Sequence, residues 1–116
     1  MRILLFVVCA LALLELSACH SGPSQASNVP LSAAAQRGET TFKHQCSVCH
    51  YADRTDPLHG PGLKGLYKHP DLPSGIPVTD EHVRENIERG RKMMPPFGNI
   101  LDQQQIDDVI AYLKTL

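Results

Sequence analysis

The chain has 116 residues, 11 Lys and Arg against 12 Asp and Glu, a formal net charge of −1, no Trp and 4 Cys. That length suits one small domain, and the balanced charge excludes the basic footprint that nucleic-acid binding requires. With so few aromatic residues the apolar core is thin, so a stabilising group beyond ordinary packing is expected.

Residues 3–14 form an apolar run of 12 behind Arg2. It is too short to span a bilayer and has the form of a signal-peptide h-region. Leu16-Ser17-Ala18-Cys19 follows and resembles the lipobox of bacterial lipoproteins. The resemblance implies removal of residues 1–18 and lipidation of Cys19. Glu15 departs from the pattern, and an ordinary secretory cleavage nearby is the alternative. Two or more acyl chains on Cys19 would anchor the protein stably, where one alone binds a membrane only marginally. Residues 19–31 are polar and lack an apolar period, which predicts a lipid-anchored flexible tether and leaves residues 32–116 as the folded domain.

Leu31, Ala34, Ala35, Gly38 and Phe42 recur at helical spacing with Ser32 as N-cap, which predicts a helix over residues 33–45. Gly38 lies on the apolar stripe. A helix-interior glycine costs roughly 1 kcal/mol against alanine, so its place predicts close helix-to-helix contact, with plain tolerance as the alternative.

The helix delivers Cys46-Ser47-Val48-Cys49-His50, whose Cys-x-x-Cys-His spacing is that of c-type haem attachment. Two thiols three positions apart can add to the two vinyl groups of one porphyrin, and the adjacent imidazole can serve as proximal iron ligand. A zinc site would need a second Cys or His pair, which the sequence lacks, and a thioredoxin-like dithiol would sit between a strand and a helix. Cys9 leaves with the signal, Cys19 takes lipid, and Cys46 and Cys49 take haem, so no thiol remains for a disulfide. The cofactor is then the staple, and the haem-free chain is expected to fold poorly.

Residues 55–78 hold five prolines and four glycines. They exclude long regular elements and leave room for a short helical turn near Leu63 to Tyr67. Thr79 or Asp80 caps a helical segment with Val83 and Ile87 inward, and Gly90 stands where a left-handed terminal residue is expected. Asp80 and Arg84, Arg84 and Glu88, and Glu85 and Arg89 are each four apart. That spacing favours a self-paired solvated face over a propionate-contacting or docking patch built with Arg91 and Lys92. Asp102 and Gln105 have capping-box spacing, and Ile106, Val109, Ile110, Leu113 and Leu116 form an apolar stripe beside Tyr112. This last helix should pack across the first. Strand alternation is absent from the sequence, so the fold class is all-α.

Four pieces in this order resemble the class I cytochromes c, in particular the short single-haem domains of bacterial respiratory chains. They are Gly38 and Phe42 ahead of Cys46 to His50, His59-Gly60-Pro61-Gly62-Leu63-Lys64-Gly65-Leu66, Gly90-Arg91-Lys92-Met93-Met94-Pro95-Pro96-Phe97 and Ile110-Ala111-Tyr112-Leu113. The resemblance spans about residues 34–116. It implies the cytochrome c fold, with the N- and C-terminal helices crossing and the third helix and Pro/Gly-rich loops wrapped around one covalent haem c. It also implies Met94, directly before the Pro-x-Phe, as the second axial iron ligand opposite His50, with Met93 the competing choice. A thioether is a soft neutral ligand that raises the potential, and the prolines after it stiffen the loop that presents it. By the same resemblance the Pro61 carbonyl accepts a hydrogen bond from the other ring nitrogen of His50 and fixes its orientation. Tyr67 and Tyr112 read as core residues. His20, His44, His59, His69 and His82 lie in tether, loop or solvated-face contexts, which disfavours a bis-histidine haem.

The function that follows is one-electron transfer in a bacterial respiratory or periplasmic redox chain, by a carrier and not an enzyme. The alternatives are a fixed relay subunit of a larger dehydrogenase or reductase, and a ligand-binding or peroxidase-like haem protein. The expected partners are redox proteins in transient contact with a monomer, at interfaces below about 1,200 Å². The expected location is the periplasmic side of a bacterial membrane, lipid-anchored. His20 after the lipidated cysteine favours the outer membrane.

Overall fold

The structure, a computed structural model, describes residues 30–116. The signal segment 1–18, lipidation at Cys19 and nearly all of the 19–31 tether lie outside the described residues. Three helices and one short 3-10 turn make the fold, α1 over Ala33–Gln45, the turn over Leu66–Lys68, α2 over Asp80–Arg89 and α3 over Gln103–Leu113. Among the described residues, strand-type pairing is limited to two isolated bridges, Asp71 with Pro77 and Arg91 with Met94. No described helix is long and apolar enough to cross a membrane.

Each helix begins where a side chain can satisfy its orphan amides. Ser32 Oγ accepts from the Ala35 amide at 3.1 Å, Thr79 Oγ1 from His82 at 3.1 Å, and Asp102 from Gln105 at 2.8 Å. Gln105 returns the bond to the Asp102 amide at 3.0 Å, completing a capping box. At the other end of α2, Gly90 takes φ +69°, which stops the helix and turns the chain back. The apolar stripe of α3 closes at Leu113, and Leu116 packs on the core from outside the helix.

The core forms where α1 and α3 meet and α2 packs on α3. Phe42 and Tyr112 stack as tilted rings with centroids 5.4 Å apart, and Ile106 and Val109 are fully buried. A Cβ on Gly38 would overlap the backbone carbonyl of Asp108 and lie 2.9 Å from the Val109 amide, so the two helices touch backbone to backbone there. Above this contact, Arg37 donates two hydrogen bonds of 2.7 Å to the Asp108 carboxylate, whose side chain is 4% exposed.

The hydrogen bonds from Arg37 hold the Asp108 carboxyl below its ordinary value of 3.8, against the opposing effect of burial. A carboxyl lowered on folding contributes stability above its unfolded pKa and loses it as pH falls through the folded one. The stability margin of the wild type over Asp108→Asn should therefore be full at neutral pH and shrink below about pH 4. Denaturation midpoints measured at several pH values check this, and a margin that does not change with acidification would sink the assignment.

The charges of α2 are only partly self-paired. Arg89 bonds Glu85 at 2.7 Å, and Arg84 approaches Glu88 at 3.9 Å. Arg84 also reaches Asp107 and Gln103 of α3, and Asp80 pairs with Lys114 and not with Arg84. The reason is geometric: α3 lies alongside and offers partners that hold two helices together, where an i,i+4 pair ties only one turn to the next.

Candidate functional site

The end of α1 and the turn after it build the first wall of the site. The Cys46 amide bonds back to Phe42 at 2.8 Å, and the Cys49 and His50 amides both bond to the Cys46 carbonyl, at 3.0 and 2.9 Å. One tight turn thus carries both thiols and the imidazole. The Gly60 amide bonds the Cys49 carbonyl at 2.8 Å, laying the next loop against this turn. His50 Nδ1 lies 2.9 Å from the Pro61 carbonyl oxygen, which fixes Nδ1 as the donor and leaves Nε2 free of that bond. A Cβ on Gly60 would lie 2.8 Å from His50 Nδ1 and overlap the ring edge, so only glycine lets the loop close on the imidazole.

The opposite wall comes from the loop after α2. Arg91 and Met94 exchange backbone hydrogen bonds of 3.0 and 2.9 Å around a two-residue turn in which Lys92 takes φ +54°, a left-handed conformation. This turn separates the adjacent methionines. Met93 is 83% exposed, whereas Met94 is half-buried and packs on the core. Pro95 and Pro96 follow directly, and the Phe97 amide ties the loop to the Ile87 carbonyl at 2.9 Å. Two rigid devices therefore hold Met94, one on each side.

Between these walls lies a cavity of about 580 Å³. Its surface is formed largely by core side chains, among them Phe42, Leu66, Leu72, Val83, Ile87 and Val109, and Cys46, Cys49, His50, Pro61 and Met94 all open onto it. That volume lies within the roughly 300–1,000 Å³ of small-molecule and cofactor sites. Met93 and Val48, 69% exposed, also line it, so the mouth is edged with apolar groups.

Burial, with a smaller contribution from Cys49, pushes the Cys46 thiol up to about 11. A thiol held protonated at neutral pH is a poor exchange nucleophile, which disfavours the dithiol reading. Among the described residues no group of three or more His, Cys, Asp or Glu is arranged to hold a metal ion, so Cys46, Cys49 and His50 gain no further zinc-type ligand. The donor set does fit a haem: two thiols, one oriented imidazole and one thioether around an apolar space.

Of the other histidines within the described residues, exposed His59 is part of the cavity wall. His44 and His69 are exposed, and His82 Nδ1 engages the Pro77 carbonyl at 2.8 Å. Tyr67 packs against the core outside the cavity wall, and Tyr112 is buried. Sequence reasoning passed over two residues. Asp108 is off the apolar stripe of α3, and its partner Arg37 stands 71 positions away, so no local pattern announces the pair. Ser74 lines the cavity from a loop in which the sequence shows only turn formers.

Residues 33–113 match the family described as cytochrome C oxidase, cbb3-type, subunit III. The chain is 35% identical over 102 residues to cytochrome c2 of Blastochloris viridis, an alignment covering 71% of this chain and 80% of that protein. It is 28% identical over 78 residues to cytochrome c6 of Bryopsis maxima, covering 66% and 84%. Among solved structures it resembles cytochrome c6 of the diatom Phaeodactylum tricornutum with a TM-score of 0.56 and 25% identity, over 70% of this chain and 91% of that one.

Proposed function

This chain belongs to the class I c-type cytochromes and carries one covalent haem c, and we propose that Cys46 and Cys49 bind the haem as thioethers while His50 and Met94 are its axial ligands. The protein is an electron carrier. What supports the ligand assignment above all is that both thiols, His50 and Met94 open onto a single apolar cavity, where Met94 is half-buried against the core and Met93, at the mouth, is 83% exposed.

When bound, the haem supplies one iron centre that gains and loses a single electron. The chain's own residues set the conditions for that exchange. Pro61 holds the proton on His50 Nδ1, so Nε2 is the ring atom available as ligand. The Arg91 to Met94 turn, Pro95 and Pro96 hold the thioether in place, which keeps reorganisation small. Phe42, Leu66, Val83 and Ile87 exclude water and lower the local dielectric. The apolar rim at Val48 and Met93 suits brief, small contacts with redox partners.

Met94→Ala tests the assignment. The far-red methionine-to-ferric charge-transfer band should vanish, and the reduced variant should bind carbon monoxide at neutral pH. The reduction potential should fall by a sizeable fraction of the roughly 0.8 V that axial ligands span. Met93→Ala should leave all three unchanged. The reverse pattern, or a wild type that binds carbon monoxide readily, would overturn it.

The family description as an oxidase subunit favours a second reading, a fixed electron relay within a larger complex. Stable co-purification with a partner supports the relay, and transient contact alone supports a free shuttle. Export behind residues 1–18 and lipid on Cys19 belong to the same proposal. A mature N-terminus at Cys19 carrying acyl mass establishes both.

A further inference from the structure

Gly62 takes no part in the cavity wall, yet its neighbours leave no room for a side chain. A Cβ there would overlap the Arg54 carbonyl oxygen and lie 2.6 Å from the Thr55 carbonyl carbon and 2.7 Å from the Asp56 carbonyl oxygen. All three obstacles are backbone, so none can rotate out of the way. Gly62 is not one of the glycines with positive φ, so close approach and not backbone conformation is what calls for glycine here.

The surface on which Gly62 sits is itself held. The Arg54 guanidinium lies 4.5 Å from the Tyr51 ring centroid and bonds the Asp53 carboxylate at 3.1 and 3.2 Å. The Tyr51 carbonyl accepts from the Leu63 amide at 2.8 Å, and the Arg54 carbonyl takes a longer bond of 3.4 Å from the Lys64 amide. The segment after His50 and the segment after Gly62 are therefore tied to each other on the far side of the loop.

Gly62 is joined through its nitrogen to the Pro61 carbonyl, so its Cα and the oxygen that faces His50 Nδ1 at 2.9 Å belong to one planar peptide group. On the near side the Gly60 amide bonds the Cys49 carbonyl at 2.8 Å, and Gly60 abuts the imidazole ring. The acceptor is thus gripped between the ring and the 54–56 backbone. A hydrogen bond weakens steeply as its angle bends, so a rotation of that peptide group is enough to loosen this one.

We propose that Gly62 is a positioning residue for electron transfer: its contact with the 54–56 backbone aims the Pro61 carbonyl at His50 and thereby sets the donor strength of His50 toward the haem iron. The proposal rests on the reading of His50 as axial ligand. A carbonyl that accepts from Nδ1 makes the imidazole a more basic ligand, and a stronger donor favours ferric iron and lowers the potential.

The test compares haem-loaded wild type, Gly62→Ala and Asp108→Asn by proton NMR of the reduced protein and by redox titration. In Gly62→Ala the His50 Nδ1 proton should exchange with solvent roughly tenfold faster, the weight of one ordinary hydrogen bond. Its reduction potential should move upward. Asp108→Asn, which loosens the fold away from this loop, should keep the wild-type values of both. Wild-type exchange and potential in a haem-loaded Gly62→Ala would refute the role of Gly62, as would equal changes in Asp108→Asn. If Gly62→Ala does not take up haem, exchange in the wild type at low guanidinium decides. The His50 Nδ1 proton and the Leu63 amide should open together, because lifting the loop off its seat breaks both bonds. A Nδ1 proton that exchanges independently of Leu63 would sink the proposal. A wild type without covalent haem, or with iron not bound by His50, would instead overturn the reading beneath it, and the proposal with it.

Discussion

Cys46→Ser combined with Cys49→Ser, stripped of any loosely held haem with acid butanone, is expected to give a chain without a cooperative fold. The cavity of about 580 Å³ is walled by the same side chains that form the core, including Phe42, Leu66, Val83, Ile87 and Val109. At about 24 cal/mol per Å³, leaving that volume unfilled costs on the order of 14 kcal/mol. Water entering through the open mouth reduces the cost, so the figure is an upper one. Even half of it, about 7 kcal/mol, is comparable to the roughly 5–15 kcal/mol by which domains are stable. The collapse that relieves the void must pull α2 and the loop carrying Met94 inward, and nothing else in the thin core replaces the lost contacts. Far-UV circular dichroism and guanidinium titration give the readout. The expected result is low helicity and a broad transition, and a haem-free chain with a sharp transition at the wild-type midpoint would refute it.

The second large effect concerns the helix contact that positions this site. Gly38→Ala places a methyl into the backbone carbonyl of Asp108, and neither partner is the flexible end of a side chain. Relief therefore requires α1 and α3 to move apart, disturbing the Phe42 and Tyr112 packing and the Arg37 to Asp108 bonds. Overpacking of this kind costs about 3 kcal/mol, and the better helix propensity of alanine returns about 1, for a net loss of about 2. For a domain of this size that is a fall of roughly 8–16 °C in Tm. Guanidinium unfolding of the haem-loaded protein measures it. Unchanged or increased stability would mean that the helices do not meet at Gly38.

The two predictions are linked through α1. Its C-terminal turn carries Cys46 and its middle carries Gly38, so a helix that shifts on α3 also shifts the proximal wall of the cavity. Gly38→Ala should therefore disturb the haem environment as well as the fold, whereas Asp108→Asn, which leaves the two helix backbones in contact, should affect stability alone.

Much of the frame was legible in the residues because its signals are local. Ser32, Thr79 and the Asp102 and Gln105 pair each satisfy amides within three positions, and Gly90 ends α2 by its own backbone conformation. The Cys46 to His50 spacing is likewise a property of one turn. By contrast, Asp80 and Arg84 have the spacing of an ion pair but are drawn to Lys114 and Asp107, because a neighbouring helix offers partners that spacing along one helix cannot reveal.

The sequence by itself determined the helices and their caps, the haem-attachment spacing and the resemblance that identifies the family, all carried by residues within a few positions of one another. Only the tertiary structure half-buried Met94 while leaving Met93 exposed, brought Pro61 to His50 and buried Asp108 against Arg37. Those outcomes depend on which loops close on one another and on what must be desolvated when they do. That balance is struck across the whole core and is written in no single stretch of the chain.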